Sequence, residues 1–154
     1  MNVTLRPMPS AELSASLARI RERYIADQVS SGMEQQAAER IASQQLDELF
    51  PNGQPAPGQH MFRVDVDGLP VGELWIGVGP DGDPSRWWVW GVEVEQTARG
   101  QGIGRRAMRL AEEEARAHGA TELGLNVFGS NTVARSLYES LGYETTAIRM
   151  RLPL

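Results

Sequence analysis

With 154 residues, 41% of them hydrophobic and 23% charged, the chain has enough apolar material for one globular domain with a sizeable core and is short for two. A formal charge of −5 without any Lys/Arg cluster argues against nucleic acid as a partner. There is no cysteine, which removes disulfides and thiolate catalysis, and the two histidines, His60 and His118, lack metal-ligand spacing, so no metal site is expected.

Residues 1–10 show no charged start followed by an apolar core, and no apolar run approaches the roughly 18 residues of a membrane helix. The expectation is a cytoplasmic protein without membrane contact. Val3 and Leu5 alternate with Thr4 and Arg6 up to Pro7, a short opening strand. Leu13, Leu17, Ile20 and Tyr24 recur at helical spacing and predict an amphipathic helix over 10–29, with Ser10 as its N-cap. After a Ser30-Ser31-Gly32 break, Ala37, Ala38, Ile41, Gln45 and Leu49 share one face of a second helix that Pro51 ends. Residues 51–59, rich in proline and glycine, read as a loop within the domain.

Phe62, Val64 and Val66 alternate with charged residues, and Asp67-Gly68 turns them into a strand over 71–78, an antiparallel hairpin. A third meander strand over 87–95 groups Trp88, Trp90, Val92 and Val94 on one face against Trp87, Val89 and Glu93 on the other. Ile103, Ala107, Leu110, Ala111 and Ala115 mark a helix closed by His118 and Gly119. Leu123, Leu125 and Val127 form a strand, Asn131 caps a short helix that Gly142 ends, and residues 143–152 alternate as a last strand. The order β-α-α-β-β-β-α-β-α-β defines an α+β fold with a mixed sheet, in which a β-α-β unit places two strands parallel.

The sequence RGQGIG over 99–104 opens a helix directly after a strand. Glycines at 100, 102 and 104 let the backbone turn tightly with its N–H groups inward, and the helix behind adds its positive dipole end. Such a nest suits a pyrophosphate, with Arg99 as a charged contact and Arg105 and Arg106 raising the local potential. Taken alone, the turn is also compatible with a plain connector. A Walker A loop would need Lys and Ser or Thr after the last glycine, where Arg105 and Arg106 stand, and a dinucleotide fingerprint would need G-x-G-x-x-G in a βαβ array.

The turn is similar to the acyl-CoA-binding motif of the GNAT superfamily of N-acetyltransferases, of the form Arg/Gln-x-x-Gly-x-Gly/Ala, with Arg99, Gly102 and Gly104 in the matching places. The stretch LNVFGSNTVARSLYESLGY over 125–143 resembles that family's strand, Asn-capped helix, helix tyrosine and Leu-Gly-aromatic ending. The resemblance is close over 87–152 and rests on element order before that. It implies one N-acetyltransferase domain over 1–154, with helices on both faces of the sheet and a splayed strand pair that receives the pantetheine arm.

The implied cofactor-binding set is Val92 and Val94 on the exposed strand edge, Arg99, Gly100, Gln101, Gly102, Ile103, Gly104 and Arg105 in the turn, and Asn131. Asn131 is also the helix cap that its position supports. The implied reaction is attack of an amine, from a small molecule or a protein, on acetyl-CoA. The Val94 N–H would hold the oxyanion and Tyr138 would act as general acid; by position alone Tyr138 also fits a half-buried core tyrosine. The general base is not singled out. Glu93 is the first candidate and Glu73 a weaker one, a strand glutamate being more often on the wet face. Asn126 stands where relatives that acetylate protein N-termini carry a base glutamate, which argues against that substrate. The tryptophans at 75, 87, 88 and 90 read mainly as core, with one or two available to an acceptor pocket. A module that binds acyl-CoA without turnover is the alternative, and a homodimer is compatible with the family.

Overall fold

The computed structural model of the protein describes residues 1–154. β2 (Gln59–Val66) and β3 (Leu69–Val78) form the predicted hairpin. Both its turn residues, Asp67 and Gly68, have positive φ, 49° and 84°, the tight geometry that matches the twist of the flanking strands. β4 (Arg86–Val94) continues the antiparallel meander, β1 (Val3–Pro7) pairs with β2, and β5 (Glu122–Leu125) pairs parallel to β4. The sheet order is β1-β2-β3-β4-β5, with β1 and β5 at the edges.

Two helical layers cover this sheet. On one face α1 (Ser10–Ser30) and α2 (Gln35–Leu49) pack Leu13, Leu17, Ile20, Leu46 and Leu49 against Met61 and Trp75. On the other, α3 (Ile103–Ala117) buries Ile103, Ala107, Met108, Ala111 and Ala115 against Val64, Leu74 and Ile76, and Leu141 of α4 (Thr132–Leu141) joins the same cluster. Alanine at three of the five α3 positions lets the helix axis approach the sheet closely, which fixes where its N-terminus lies. No helix is long and apolar enough to cross a membrane.

Four sequence expectations are corrected. The face assignment in β4 fails because Trp75 pairs with Gly91 and Ile76 with Val89, so Trp90 is an extra, bulged residue that resets the alternation. Val92 and Val94 therefore share the α3 face with Trp87 and Val89, while Trp90 packs on the α1–α2 side. The N-cap of α1 is Pro9, not Ser10, and supplies no side-chain bond. On α2 the inward residues are Ala38 and Ala42 rather than Ile41, which is exposed; Glu34 caps this helix, accepting from the N–H groups of Gln36 and Ala37 at 3.1 Å each. Finally, β5 stops at Leu125, and residues 143–154, expected as a last strand to 152, are in no strand; after the Tyr143 N–H bond to Tyr138 they make no backbone hydrogen bond.

Gly72 sits opposite Val94, and a Cβ there would lie 2.3 Å from the backbone oxygen of Glu93. Alanine can be accommodated only by forcing β3 and β4 apart, and we expect Gly72→Ala to cost about 2 kcal/mol in urea unfolding.

Candidate active site

β4 has a paired side and an open side. Glu95 donates to the Val71 carbonyl at 2.8 Å, which makes that couple a hydrogen-bonded pair; in an antiparallel ladder the bonding then skips Val94 and Val92. The N–H and C=O of both valines consequently point away from β3, toward the β5 side. There the parallel pairing ends at Val89 and Leu125, so no strand meets them. The valines expected on an exposed edge lie on one.

The chain leaves this edge through a single 3-10 turn, Gln96–Ala98, and enters the glycine turn. Gly100 and Gly102 adopt φ of 78° and 79°, and Gly102 is the N-cap of α3 in the left-handed conformation. That conformation is costly for any residue with a Cβ, which accounts for glycine at both positions. The backbone N–H groups of residues 100–105 have no hydrogen-bond acceptor in the chain; the first turn of a helix leaves such donors free, and the loop adds more. At Gly104 the Leu137 side chain of α4 lies 3.7 Å from where a Cβ would be, an ordinary contact that sets α4 against the start of α3. Arg105 also reaches α4, donating to the Ser140 hydroxyl at 2.7 Å. The N-terminus of α3 is thereby tied to the helix that carries Asn131 and Tyr138.

Arg99 folds back on the strand. Its Nε donates to the Val94 carbonyl at 2.8 Å, and its Nη2 is hydrogen bonded to Glu93. Glu93 projects to the α1 side, where Arg23 lies 4.0 Å from it. Directly across the ladder is Glu73, and two carboxylates in that relation repel unless cations intervene. Glu73 is not on a wet face: it is 5% exposed, accepts from Ser16 at 2.7 Å and from Arg19 and Arg23 at 3.0 Å each, and has Arg63 at 3.7 Å. Burial alone would raise its pKa, but the bonds from Ser16, Arg19 and Arg23 outweigh that and hold it below the usual carboxylate range. One turn further along α1, the Asp27 carboxyl is pushed up by burial and by Glu93, against the pull of Arg23.

On α4, Asn131 caps the helix as expected, its Oδ1 accepting from the Ala134 N–H at 3.2 Å. Tyr138 is half-buried beside Tyr143, ring centroids 5.9 Å apart, and burial pushes its phenol above the ordinary value. The Tyr143 hydroxyl is buried without a hydrogen-bond partner, and burial and Glu112 raise it further. The tryptophans divide as their burial dictates: Trp75 and Trp87 are core, while Trp88 and Trp90 are half-buried on the α1–α2 side. A hollow of about 190 Å³ lined by Gly79, Arg86, Trp88 and Glu122 lies at the far end of β4 from the turn, and its Arg86 is occupied by Asp81 and Glu122.

The structure thus brings together Val92, Glu93, Val94 and the whole 99–105 segment, with α4 docked on the turn through Leu137 and Ser140. Sequence reasoning missed Ser16, Arg19 and Arg23. Their spacing of three and four places them on one face of α1 beside Leu13, Leu17 and Ile20, and polar residues on an apolar stripe are the sign that could have found them.

The Acetyltransferase (GNAT) family pattern matches residues 18–143, and the chain belongs to that family. YycN of Bacillus subtilis (strain 168), described as an uncharacterized N-acetyltransferase, is 28% identical over 152 residues, 97% of each chain. YdgE of the same organism, described in the same words, is 29% identical over 157 residues, 100% of this chain and 99% of its own. The crystal structure of YycN matches with a TM-score of 0.89 at 27% identity, covering 99% of both chains. AAC(6')-Iy in complex with the bisubstrate analog CoA-S-monomethyl-acetylneamine shares the fold, with a TM-score of 0.60 at 18% identity over 100% of this chain and 99% of that one. The protein is an N-acetyltransferase of the GNAT type, a family that moves an acyl group from coenzyme A to an amine.

Because the folded-state pKa of Glu73 lies below its unfolded value, its stabilisation is complete above the ordinary carboxylate range and is lost as pH falls through the folded value. We expect Glu73→Ala to lose about 3 kcal/mol at neutral pH, the lower end for a broken buried pair because the arginines can rehydrate. Urea unfolding should show that deficit shrinking in acid.

Proposed function

We propose that the chain transfers an acetyl group from acetyl-CoA to a primary amine of a small molecule or protein by direct attack, without a covalent enzyme intermediate. The observation that carries this reading is the run of unpartnered N–H groups over 100–105, continuous with the open edge of β4 at Val92 and Val94. Gly100, Gln101, Gly102, Ile103, Gly104 and Arg105 offer main-chain donors to a diphosphate, on the positive end of α3. The N–H and C=O of Val92 offer an amide of the pantetheine arm the bonds an added strand would make, while the Val94 carbonyl is already held by Arg99 and its N–H is left for the thioester oxygen. Asn131 keeps a free side-chain N–H₂ for the same arm while its oxygen caps α4.

The Val94 N–H donates to the thioester oxygen and stabilises the negative charge that develops there when the amine nitrogen bonds to the carbonyl carbon. As the C–S bond breaks, Tyr138 gives its proton to the departing sulfur; a phenol carries that proton at neutral pH, and burial does not remove it. Glu93 takes the proton released by the amine, directly or through one water. Arg99 links the two halves of this scheme: it holds Glu93, and a diphosphate would compete for the same guanidinium. Glu73 is unsuited to the base role, because its carboxylate is enclosed by Ser16, Arg19 and Arg23.

CoA release can be followed with a thiol reagent, since the protein has no cysteine of its own. We expect Tyr138→Phe to lower kcat on the order of 100-fold with little change in the acetyl-CoA dissociation constant; unchanged turnover would remove the assigned acid. Gly102→Glu should abolish CoA binding by calorimetry while far-UV circular dichroism stays native, and wild-type affinity would place the diphosphate elsewhere.

A further inference from the structure

Four residues of β4 share the α1 side of the sheet: Trp88 opposite Gly77, Gly91 opposite Trp75, Glu93 opposite Glu73, and Trp90, the bulged residue that packs beside Trp75. Trp90 stacks on the buried Trp75, ring centroids 5.3 Å apart and planes 19° from parallel, and its indole N–H donates to the Val78 carbonyl at 3.2 Å. Trp88 stands 6.4 Å beyond and packs in none of the hydrophobic clusters. It lies across Gly124 of β5, where a Cβ would come within 2.6 Å of its ring. Trp75 and Trp87 also bond their indole N–H groups within the chain, to Gln59 and to the Pro84 carbonyl; of the four, Trp88 alone keeps its N–H free.

Between Trp90 and Glu93 this wall is interrupted. A Cβ at Gly91 would meet no atom within 4 Å, and its φ is not left-handed, so neither backbone conformation nor crowding requires glycine there. What the glycine provides is room: a bare strip of backbone with an aromatic ring at one end and a carboxylate, a third exposed, at the other. Two residues of strand separate Gly91 from Glu93, about 7 Å.

We propose that this strip seats the non-reacting end of the acceptor, and that the amines the enzyme favours carry a flat apolar group, above all an aromatic ring, two or three carbons from the nitrogen. The inference rests on the reaction proposed above, which puts acid and base on opposite faces of the sheet: Tyr138 packs on the α3 side and Glu93 projects to the α1 side. An amine that attacks as the sulfur departs toward Tyr138 comes from the Glu93 side, and its remaining atoms run along β4 over Gly91 to Trp90. A ring seated on Gly91 meets a tryptophan that Trp75 and Val78 already hold in place, so little side-chain freedom is lost on contact. Trp88 offers its ring and its free N–H to the far end of a longer acceptor.

The test uses the full chain and compares 2-phenylethylamine and 3-phenylpropylamine with propylamine, which lacks the ring. The aryl amines should show kcat/KM at least about tenfold higher. Gly91→Val, whose Cβ has open space, should erase that preference through a raised KM for the aryl amines, while propylamine turnover stays within about twofold. With CoA bound, titrating 2-phenylethylamine should shift the indole N–H NMR signals of Trp90 and Trp88 and leave that of Trp87, on the other face, unmoved; in Gly91→Val the shifts should vanish. Equal kcat/KM for aryl amines and propylamine, a wild-type preference in Gly91→Val, or indole signals that do not move would each overturn the proposal and leave the reaction standing. CoA release with none of the three amines would overturn the reaction along with it.

Discussion

β4 is hydrogen bonded along one side to its C-terminal end and along the other only as far as Val89, and the rest of the site follows from this half-paired strand. Backbone donors and acceptors are obligatory hydrogen-bonding groups, so an edge without a neighbouring strand must be met by water or by a ligand with matching amides. Here the unpaired edge runs directly into the glycine turn and the first turn of α3, where six more N–H groups are free. Strand edge, loop and helix end form one strip of donors, neutral along β4 and electropositive at α3. A long ligand with amides at one end and phosphates at the other matches that gradient.

Charge on the α1 side is handled by two glutamates of identical chemistry and different fate. Glu73 and Glu93 face each other across β3 and β4, but Glu73 is enclosed by a serine and two arginines of α1, whereas Glu93 is a third exposed and shares its cations with other groups. Burial and saturation make Glu73 an anchor that holds α1 against the sheet. Partial exposure leaves Glu93 able to exchange partners. Arg23, 3.0 Å from Glu73 and 4.0 Å from Glu93, couples the anchor to the group beside the open edge of β4.

Much of this was legible in the sequence because local rules agreed with the fold. Asp67-Gly68, Gly102, Gly119 and Gly142 each sit at the turn or helix end that their φ requires, and Asn131 caps as its type and spacing demand. What failed was nonlocal. The bulge at Trp90 depends on how β3 and β4 register, which no alternation within β4 encodes, so the faces of its tryptophans were exchanged relative to Val92 and Val94. The burial of Glu73 depends on α1 bringing Ser16, Arg19 and Arg23 over one strand position. Pattern reading treats a strand glutamate as wet because it cannot see the helix that dries it.

The arm at 143–154 belongs to the same class of failure. Alternation establishes that a segment can be a strand and says nothing about which edge it will pair with, or in which copy of the chain. The sheet offers two unpaired backbone edges that differ in what flanks them. The edge of β4 is flanked by a glycine turn, an arginine and a glutamate, surroundings that favour a polar, charged ligand that comes and goes. The outer edge of β5 is flanked by half-buried leucines and an exposed valine, surroundings that are apolar and uncharged. Two stretches of backbone in one sheet are thus equally unpaired and differ only in the side chains around them, which is a property of how the helices fall on the sheet and not of either strand's own pattern.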